Sequence, residues 1–351
     1  MSAERNIDPP LVKFIRAMPK VELHLHLEGA LAPATLLAFA ERNGVDIPAR
    51  DIEGVTQLFR YRTLQEFLTV FMALARTMVE PRDFEQAAFE LGEQLAQQRV
   101  RYAEVMISPV QHLRRGVDLT AAVRATWAGM GRARAASGVQ MAIIFDYGRQ
   151  FGVDLAWEVL DIALACRDSG VVGWSIGGDE AQQPPEPFAE VYAAARAGGL
   201  RLMAHAGEVG GPDSVRGAID ALQVERIGHG IRSIGDPALV RELAARRITL
   251  DICPRSNLRT GAAPTVADIP LRQLYDAGVR LTINTDDPVF FETTMCGELL
   301  FVAQQFGFGA DELCRMTLDA VDASFLAPQP KHELRAAIAA ELTALRATCG
   351  V

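Results

Sequence analysis

Short apolar runs rich in β-branched residues alternate along this 351-residue chain with longer amphipathic, alanine-rich segments. The runs are too apolar for half-exposed antiparallel strands, and the segments between them have the periodicity of helices. Eight runs stand out: Val21–Leu27, Arg101–Ser108, Met141–Tyr147, Val171–Gly177, Arg201–Ala206, Arg226–Ile231, Thr249–Cys253 and Leu281–Thr285. The pattern predicts eight parallel βα units and hence an α/β fold of the TIM (β/α)8 barrel type, with a doubly wound open sheet as the alternative.

The interval between the first and second runs is longer than one crossover needs. Helical patterns cover Pro33–Asn43 and Leu64–Thr77, so extra helices are predicted after the first strand, within residues of about 28–100, and part of them should cover the barrel mouth. This stretch also contains the aromatic residues Phe59, Tyr61, Phe67 and Phe71. They predict either ordinary core packing or an apolar lid over a flat ligand.

The rest of the chain contains no sign of a second domain. No linker, internal repeat or low-complexity tract interrupts the alternation of runs and helical segments. Leu334–Leu345 predicts a final helix within residues of about 331–351. We therefore expect residues 1–351 to form a single barrel domain, which is within the usual size of this fold.

Charge and cysteine content narrow the class of partner and compartment. The net charge is -9 with acidic and basic residues interspersed, whereas nucleic-acid binding needs concentrated Lys and Arg. The five cysteines are odd in number and include no Cys-x-x-Cys pair, which favours a reducing compartment. Met1–Lys20 has no uninterrupted apolar stretch, and no other window approaches a membrane span. We expect a soluble, cytoplasmic protein that binds a small molecule.

Two histidines stand one residue apart near the end of the first run, in the sequence VELHLHLEG. Because alternate side chains of a strand share a face, His24 and His26 should point the same way and could share one metal ion. For an isolated pair of this kind, two buried histidines bonded to the backbone are the alternative. The ends of the other predicted strands bear on this choice.

Three other predicted strands also end in metal-competent or acidic residues. The fifth runs into His205 and Glu208, the sixth contains His229, and the eighth ends in Asp286 and Asp287. The carboxyl ends of all strands in a barrel converge on one mouth, so these residues can meet. Histidines with one aspartate suit a catalytic zinc ion, which keeps one position open for water and lowers the pKa of that water to roughly 7.

Local bends are needed for all of these side chains to enter the mouth. His205 and Glu208 are three residues apart and would lie on opposite faces of a straight strand, but Gly207 permits a bend between them. The two neighbouring aspartates at the end of the eighth strand would also diverge, and Pro288 ends that strand so that the second carboxylate can turn inward. Taken alone, such an acidic pair is typical of a turn or a helix cap.

The few lysines limit the kind of metal site. The chain has no lysine between Lys20 and Lys331, so it lacks the bridging lysine that many two-metal barrel hydrolases use, and a one-metal site remains. The His-x-Glu and Pro-Cys-x-x-Cys strings of another class of zinc deaminases do not occur. The two remaining histidines, His112 and His332, lie in loop or helix-start contexts and have no predicted role.

With these strings in view, the chain resembles the adenosine deaminase family of the amidohydrolase superfamily. The resemblance runs in family order across almost the whole predicted barrel. The matching stretches are Pro19–Ala30 (PKVELHLHLEGA), Tyr102–Pro109 (YAEVMISP), Gly177–Glu180 (GGDE), His205–Gly210 (HAGEVG), Glu225–Gly230 (ERIGHG), Cys253–Asn257 (CPRSN) and Asn284–Pro288 (NTDDP).

The resemblance implies a role for each residue that matches a family motif. Glu208 would deliver a proton to purine N1, and His229 would orient and deprotonate the attacking water. Asp287 would share a hydrogen bond at N7, and the backbone N–H of Gly178 would meet N3. The implied ligands of one zinc ion per chain are His24, His26, His205 and Asp286. The implied substrate contacts are His26, Glu28, Gly178 and Asp287.

Departures from the family pattern bear on the substrate. Glu28 stands where adenosine-specific members commonly have Asp for the ribose 5′-hydroxyl, and Met106 replaces a frequent Arg. The segment Asp146–Gly152 differs from the better-known adenosine deaminases, while Gly177–Glu180 is more similar to nucleoside deaminases than to the adenine deaminase branch. We therefore expect hydrolytic deamination of adenosine or a 5′-modified adenosine, such as an aminodeoxyfutalosine-type nucleoside. Deamination of free adenine and a catalytically silent purine-binding barrel are the alternatives.

Overall fold

The eight apolar runs form eight parallel strands that pair in chain order from first to last. This is seen in a computed structural model, in which residues 7–351 are described. The strands are β1 (Lys20–His26), β2 (Val100–Ile107), β3 (Gln140–Gly148), β4 (Val171–Gly177), β5 (Arg201–Ala206), β6 (Arg226–His229), β7 (Thr249–Ile252) and β8 (Arg280–Ile283). All eight predicted strands are confirmed, and their bounds differ from the predicted ones by at most a few residues.

The sheet closes on itself between its first strand and the segment that follows its last one. The backbone N–H of His26 donates to the carbonyl of Asp286 over 2.8 Å, and the N–H of Asp286 donates to the carbonyl of His24 over 3.0 Å. Leu25 and Asp286 form an isolated parallel bridge at this point. The barrel prediction is therefore confirmed, and the open sheet is excluded because its two edge strands would not meet.

Helices connect the strands, and four of them lie between β1 and β2, which confirms the predicted insertion. The helices of residues 7–351 are α1 (Pro9–Ala17), α2 (Pro33–Asn43), α3 (Ile52–Leu58), α4 (Leu64–Ala75), α5 (Pro81–Gln97), α6 (Pro109–Leu113), α7 (Leu119–Ser137), α8 (Val153–Ala165), α9 (Ala189–Ala197), α10 (Pro212–Asp220), α11 (Pro237–Arg246), α12 (Pro254–Arg259), α13 (Leu271–Asp276), α14 (Met295–Phe306), α15 (Ala310–Ala323) and α16 (Pro328–Cys349). The last helix is longer than predicted and begins at a proline, which suits a first helical position.

Helix α4 is the inserted helix that bears most directly on the mouth of the barrel. It begins after Thr63, whose hydroxyl accepts the N–H of Glu66 over 3.2 Å and so satisfies one of the free donors of the first turn. Phe67 and Phe71 lie one turn apart and are both buried, so this face of the helix points inward. The capped start of α4 thus fixes which aromatic side chains face the mouth.

The interior of the barrel below the mouth is filled by a charged network and a small apolar cluster. The buried guanidinium of Arg226 lies 2.6 Å from Glu104 Oε2 and 2.6 Å from Asp251 Oδ2, so neither acid is left unpaired. Met106 is fully buried and packs with Phe325 and two other apolar residues. We expected Met106 to shape the substrate preference, but its side chain packs in this cluster and is not among the residues that line the cavity.

The helices and the cysteines bear on the predicted class of the protein. Among the helices of residues 7–351, none combines the length and the apolarity that a membrane crossing requires. All five cysteines are free thiols, as the absence of a disulfide framework in the sequence predicts.

Candidate active site

Three histidines from two strands meet at the carboxyl ends of the barrel strands. His24 and His26 come from β1 and His205 from β5, and one ring nitrogen of each lies within 4.8 Å of the others. Asp286, just beyond β8, places Oδ1 3.5 Å from Nε2 of His24 and 3.3 Å from Nε2 of His26. The structure therefore brings together all four residues that the resemblance implies as metal ligands.

Backbone bends aim the acidic residues into this cluster. Gly207 has φ +69°, so the chain turns between His205 and Glu208 as the sequence predicts. At the end of β8 the bend occurs at Asp286 itself, which has φ +67°. We expected Pro288 to provide this turn, but the left-handed conformation of Asp286 already bends the chain, and one carboxylate oxygen each of Asp286 and Asp287 lies within 4.8 Å of the other and of a ring nitrogen of His26. An aspartate adopts this conformation more readily than most residues, yet still at a cost that is typical of functional sites.

The four residues fit a metal ion. Nδ1 and Nε2 of His24 and Nδ1 of His26 are buried and have no hydrogen-bond partner among residues 7–351. Buried polar atoms nearly always have a partner, so a ring that is fully buried and unpaired indicates a missing ligand. Imidazole nitrogens with one carboxylate oxygen form a donor set that suits a catalytic metal site.

A cysteine also lies beside this cluster. Cys253, His24 and Asp286 could form a second three-residue group. However, burial raises the pKa of the Cys253 thiol well above its usual range, and the nearby Asp286 carboxylate adds to this effect. A thiol binds metal as the thiolate, so Cys253 is a poor ligand compared with the neighbouring imidazoles.

His205 is oriented by a carboxylate that the sequence analysis did not identify as functional. Asp146, near the end of β3, places Oδ1 3.3 Å from Nδ1 of His205, and the carbonyl of Ile176 lies 3.2 Å from the same nitrogen. Burial raises the pKa of Asp146, but the adjacent His205 outweighs it and lowers that pKa to about 2. Such a partner leaves Nε2 of His205 free to face the metal site. In the sequence, the signal of this role is the position of Asp146, an acidic residue near the end of a predicted strand.

Two residues of the CPRSN motif also act on the cluster without entering it. The hydroxyl of Ser256 donates to Oδ2 of Asp286 over 2.6 Å. The side-chain amide of Asn257 lies 3.1 Å from Nδ1 of His229. Both side chains are buried, so they hold a carboxylate and an imidazole in fixed orientations. The motif contributed to the resemblance, but the role of each residue could not be derived from the sequence.

Glu208, His229 and Asp287 line the cavity beside the candidate metal ligands. Oε2 of Glu208 lies 3.8 Å from Nε2 of His229, which in turn lies 3.8 Å from Oδ2 of Asp286. Burial raises the pKa of Glu208 above its usual range, although the nearby His229 opposes this effect. An acid of this kind is suited to donate a proton near neutral pH.

The loop that contains Glu208 is held by a second buried glutamate. Glu180 accepts backbone N–H groups from Glu208, Val209 and Gly210 over 2.9–3.1 Å and also the N–H of Gly207. It accepts the hydroxyl of Ser214 over 2.6 Å as well. One carboxylate therefore satisfies four consecutive backbone donors and fixes the position of the Glu208 side chain.

Replacing this anchor should weaken both the fold and the site. We expect Glu180→Gln to lower the free energy of unfolding by about 2–4 kcal/mol, because one side of the amide can no longer accept from the loop. The pKa of Glu180 is lowered from 4.5: burial raises it, but Ser214 and the backbone N–H groups outweigh burial. The stabilisation by the carboxylate is therefore present above about pH 4.5 and is lost as the pH falls through the folded-state pKa.

Denaturant unfolding at pH 7 and at pH 4 measures this difference, and the gap between wild type and Glu180→Gln should narrow at the lower pH. Glu186→Gln, at an exposed position six residues further on, is the matched control and should unfold like the wild type. Equal stability of Glu180→Gln and wild type at pH 7 would contradict the assigned role of Glu180.

Two predicted site residues, His24 and Glu28, do not line the cavity: His24 lies within the metal-competent cluster, whereas Glu28 lies outside it. Glu28 is fully buried, and its Oε1 accepts the N–H of Ser108 over 2.9 Å and lies 2.9 Å from Nε2 of His112. Glu28 therefore holds the start of α6, which leads into the cavity wall, and its carboxylate faces protein groups. His112, which had no predicted role, is part of this buried contact.

The cavity above the histidines is narrow and apolar on its sides. Of the four aromatic residues between β1 and β2 that the sequence singles out, Phe67 and Phe71 line the cavity, whereas Phe59 and Tyr61 do not. Phe59 stacks on Phe290, and the hydroxyl of Tyr61 donates to the carbonyl of that phenylalanine over 2.6 Å. All four residues belong to the buried core, and Phe67 and Phe71 in addition form part of the apolar wall of the cavity. The remaining lining residues include His26, Ser108, Gln111, Gln150, Gly178 and Thr260.

Comparison with known proteins identifies the family of this architecture. The family model described as adenosine deaminase matches residues 19–341. The chain is 39% identical over 337 residues to an adenine deaminase of Rhodospirillum rubrum, covering 95% of this chain and 99% of the relative. The crystal structure of an adenine deaminase from Arthrobacter aurescens superposes with a TM-score of 0.88 at 33% identity, covering 93% and 98% of the two chains. An amidohydrolase from Burkholderia ambifaria with bound zinc superposes with a TM-score of 0.91 at 32% identity, covering 99% and 97%.

The expectation of a nucleoside substrate is wrong. Eight relatives that are 33–40% identical and cover 93–95% of the chain are adenine deaminases, including the one from Rhodospirillum rubrum. Glu28, on which the expectation of a sugar contact rested, is fully buried against Ser108 and His112 and is not among the residues that line the cavity. The similarity of Gly177–Glu180 to nucleoside deaminases was the second reason to expect a nucleoside. In the structure, Glu180 of this motif accepts hydrogen bonds from the loop that contains Glu208.

Proposed function

This chain belongs to the adenosine deaminase family, and we propose that it hydrolyses the 6-amino group of free adenine to give hypoxanthine and ammonia. The observation that carries this proposal is the 39% identity to an adenine deaminase over 95% of the chain. The arrangement of Glu208 and His229 beside four metal-competent residues supplies the groups that hydrolysis needs.

We propose that the metal is zinc and that one ion is held by His24, His26, His205 and Asp286. A related amidohydrolase contains zinc, and the donor set of nitrogens with one carboxylate is typical of catalytic zinc. When bound, such an ion acts as a Lewis acid and lowers the pKa of water to roughly 7. The chain offers no lysine at the mouth to bridge a second ion: Lys20 is the first residue of β1, at the opposite end of that strand from His26.

Glu208 and His229 are assigned the two proton transfers. Attack of water at C6 breaks the aromaticity of the ring, and a proton delivered by Glu208 to N1 as that bond forms stabilises the tetrahedral carbon. Nε2 of His229 accepts a proton from the attacking water. This proton passes to the amino nitrogen, which leaves as ammonia when the C6–N bond breaks, and the proton of the C6 hydroxyl returns to Glu208 as the C6 carbonyl forms. For Nε2 to accept, Nδ1 must carry the ring proton and donate to the amide oxygen of Asn257, an oxygen that has no partner in the present rotamer.

The remaining cavity groups are assigned to the purine ring. Asp287 would share a hydrogen bond with N7, and the backbone N–H of Gly178 would donate to N3, while His26 borders the ring beside the metal. The side walls from Phe67 and Phe71 suit a flat aromatic substrate. We also propose that residues 1–351 form one domain, with residues of about 28–100 covering the mouth.

The test of this proposal is ammonia release from the purified protein against adenine, adenosine, 2′-deoxyadenosine and 5′-modified adenosines. We expect kcat/KM for adenine to exceed that for every nucleoside by about 100-fold or more, because a buried site that fits the free base must reject an added sugar. Preference for any nucleoside would overturn the choice of adenine. No ammonia release from any compound, with the metal bound, would favour the catalytically silent barrel.

A further inference from the structure

Gln150 is a polar side chain at the outer edge of the cavity that the proposed chemistry does not use. It lies in the turn Arg149–Phe151 that follows β3 and is exposed, whereas Glu208 and His229 are buried at the bottom of the same cavity. This difference in exposure places Gln150 at the mouth and the reacting groups at the base.

The carboxamide of Gln150 is held in position by its surroundings. Its Oε1 accepts the N–H of Asp179 over 3.3 Å. It also lies against Gly178, where a Cβ atom would stand only 2.1 Å from Oε1. The preceding residue, Arg149, is fully buried and donates to the carbonyls of Gln183, over 3.1 Å, and His205. The turn is thus pinned to the strand that provides a candidate metal ligand.

The chemistry of adenine defines which edge of the ring meets this carboxamide. We place C6 over the metal-competent residues at the base of the cavity. The atom opposite C6 in the six-membered ring is then N3, and N9 lies on the same edge because both nitrogens are bonded to C4. This edge therefore points to the mouth. In the free base N9 carries a hydrogen and is a donor, whereas in every nucleoside N9 is bonded to the sugar.

On these grounds, and resting on the proposed adenine deaminase function, we propose that Gln150 is the residue that selects the free base over nucleosides. Its Oε1 has a second lone pair beyond the one used by Asp179, and this lone pair accepts the N9–H of adenine. The same carboxamide occupies the space that C1′ of a ribose would need. A nucleoside loses the hydrogen bond and meets a steric block, which is the combination that gives strong discrimination.

Gln111 provides a matched comparison within the same cavity. It is a second glutamine that lines the cavity, on the wall formed by α6, and its side chain makes no hydrogen bond to any part of the chain that the structure describes. A carboxamide that is already held loses less conformational entropy when it binds a ligand than a free one does. The selection should therefore depend on Gln150 and not on Gln111.

Two variants separate the hydrogen bond from the steric block, with kcat/KM measured for adenine, 9-methyladenine and adenosine. Gln150→Ala removes both effects. The ratio of kcat/KM for adenosine to kcat/KM for adenine should therefore rise at least about 10-fold, and the corresponding ratio for 9-methyladenine should rise in the same way. Gln150→Leu keeps most of the volume but cannot accept N9–H, so kcat/KM for adenine should fall about 10-fold to 100-fold while adenosine stays excluded. Gln111→Ala should change the ratio less than threefold.

The outcomes distinguish this assignment from the proposed function. A wild-type enzyme that rejects adenine would overturn both. An adenine-specific wild type in which Gln150→Ala and Gln111→Ala shift the ratio equally would overturn only the role of Gln150. If Gln150→Leu left kcat/KM for adenine unchanged, the proposed hydrogen bond from N9–H to Gln150 would be overturned. Metal content and thermal unfolding of each variant, expected to match the wild type because Gln150 is exposed, verify that the base of the site is intact.

Discussion

Glu208→Gln is expected to fold, to retain its metal and to lose activity on adenine by at least the roughly 10²–10⁴-fold typical of a general acid-base group. Glutamine has nearly the same shape, but it cannot hand over a proton at neutral pH. Glu208 is buried next to His229 at the base of the cavity, so bulk water cannot easily replace it as the donor. The loss should appear mainly in kcat, because the proton is needed as the new bond forms.

The measurement is single-turnover deamination of adenine, with metal analysis on the same preparation. Glu190→Gln, at an exposed position on α9, is the control for the same chemical change and should behave like the wild type. A Glu208→Gln enzyme that kept more than a tenth of the wild-type rate of the chemical step would exclude Glu208 as the proton donor.

His205→Ala is expected to abolish both tight metal binding and detectable activity. Removal of one imidazole leaves an incomplete donor set and a buried Asp146 carboxylate without its partner 3.3 Å away. Loss of a partner from a buried charged pair costs several kcal/mol, so a lower stability is also expected. The wild type should contain about one equivalent of zinc per chain when purified without added metal.

Elemental analysis after extensive dialysis, together with thermal unfolding with and without added zinc, tests this expectation. Added zinc should raise the unfolding temperature of metal-depleted wild type but not that of His205→Ala, since ligand binding to the native state stabilises it. His332→Ala, at an exposed histidine of α16, controls for loss of an imidazole elsewhere and should keep its metal. Two tightly held ions per wild-type chain would contradict the one-metal site.

Much of the fold could be predicted because its signals are local. A buried parallel strand must be apolar on both faces, so β4 and β5 appear in the sequence with the bounds that they have in the structure. The histidines of the site could be predicted for a related reason. In a barrel every strand ends at the same mouth, so a polar residue that follows an apolar run is placed there by topology alone.

Contacts between distant segments could not be predicted in this way. Asp146 contacts His205 across 59 positions of sequence, and Asn257 reaches His229 from helix α12, which follows the next strand. Their residue types are as common in turns and caps as in active sites, so the side chains carry no local signal of their role. The bend at Asp286 was also missed, because it depends on hydrogen bonds to β1.

The sequence by itself determined the barrel and the meeting of the four metal-competent residues, since these depend on apolar runs and on the residue types at strand ends. The reaction class was implied by the resemblance of its motifs to the adenosine deaminase family. Only the tertiary structure decided what Glu28 and Gln150 face. Glu28 is buried against Ser108 and His112, while Gln150 is held against Gly178 at the open edge of the cavity. The direction of a side chain beyond a strand end depends on which segments pack beside it, and the sequence contains no local signal of that packing.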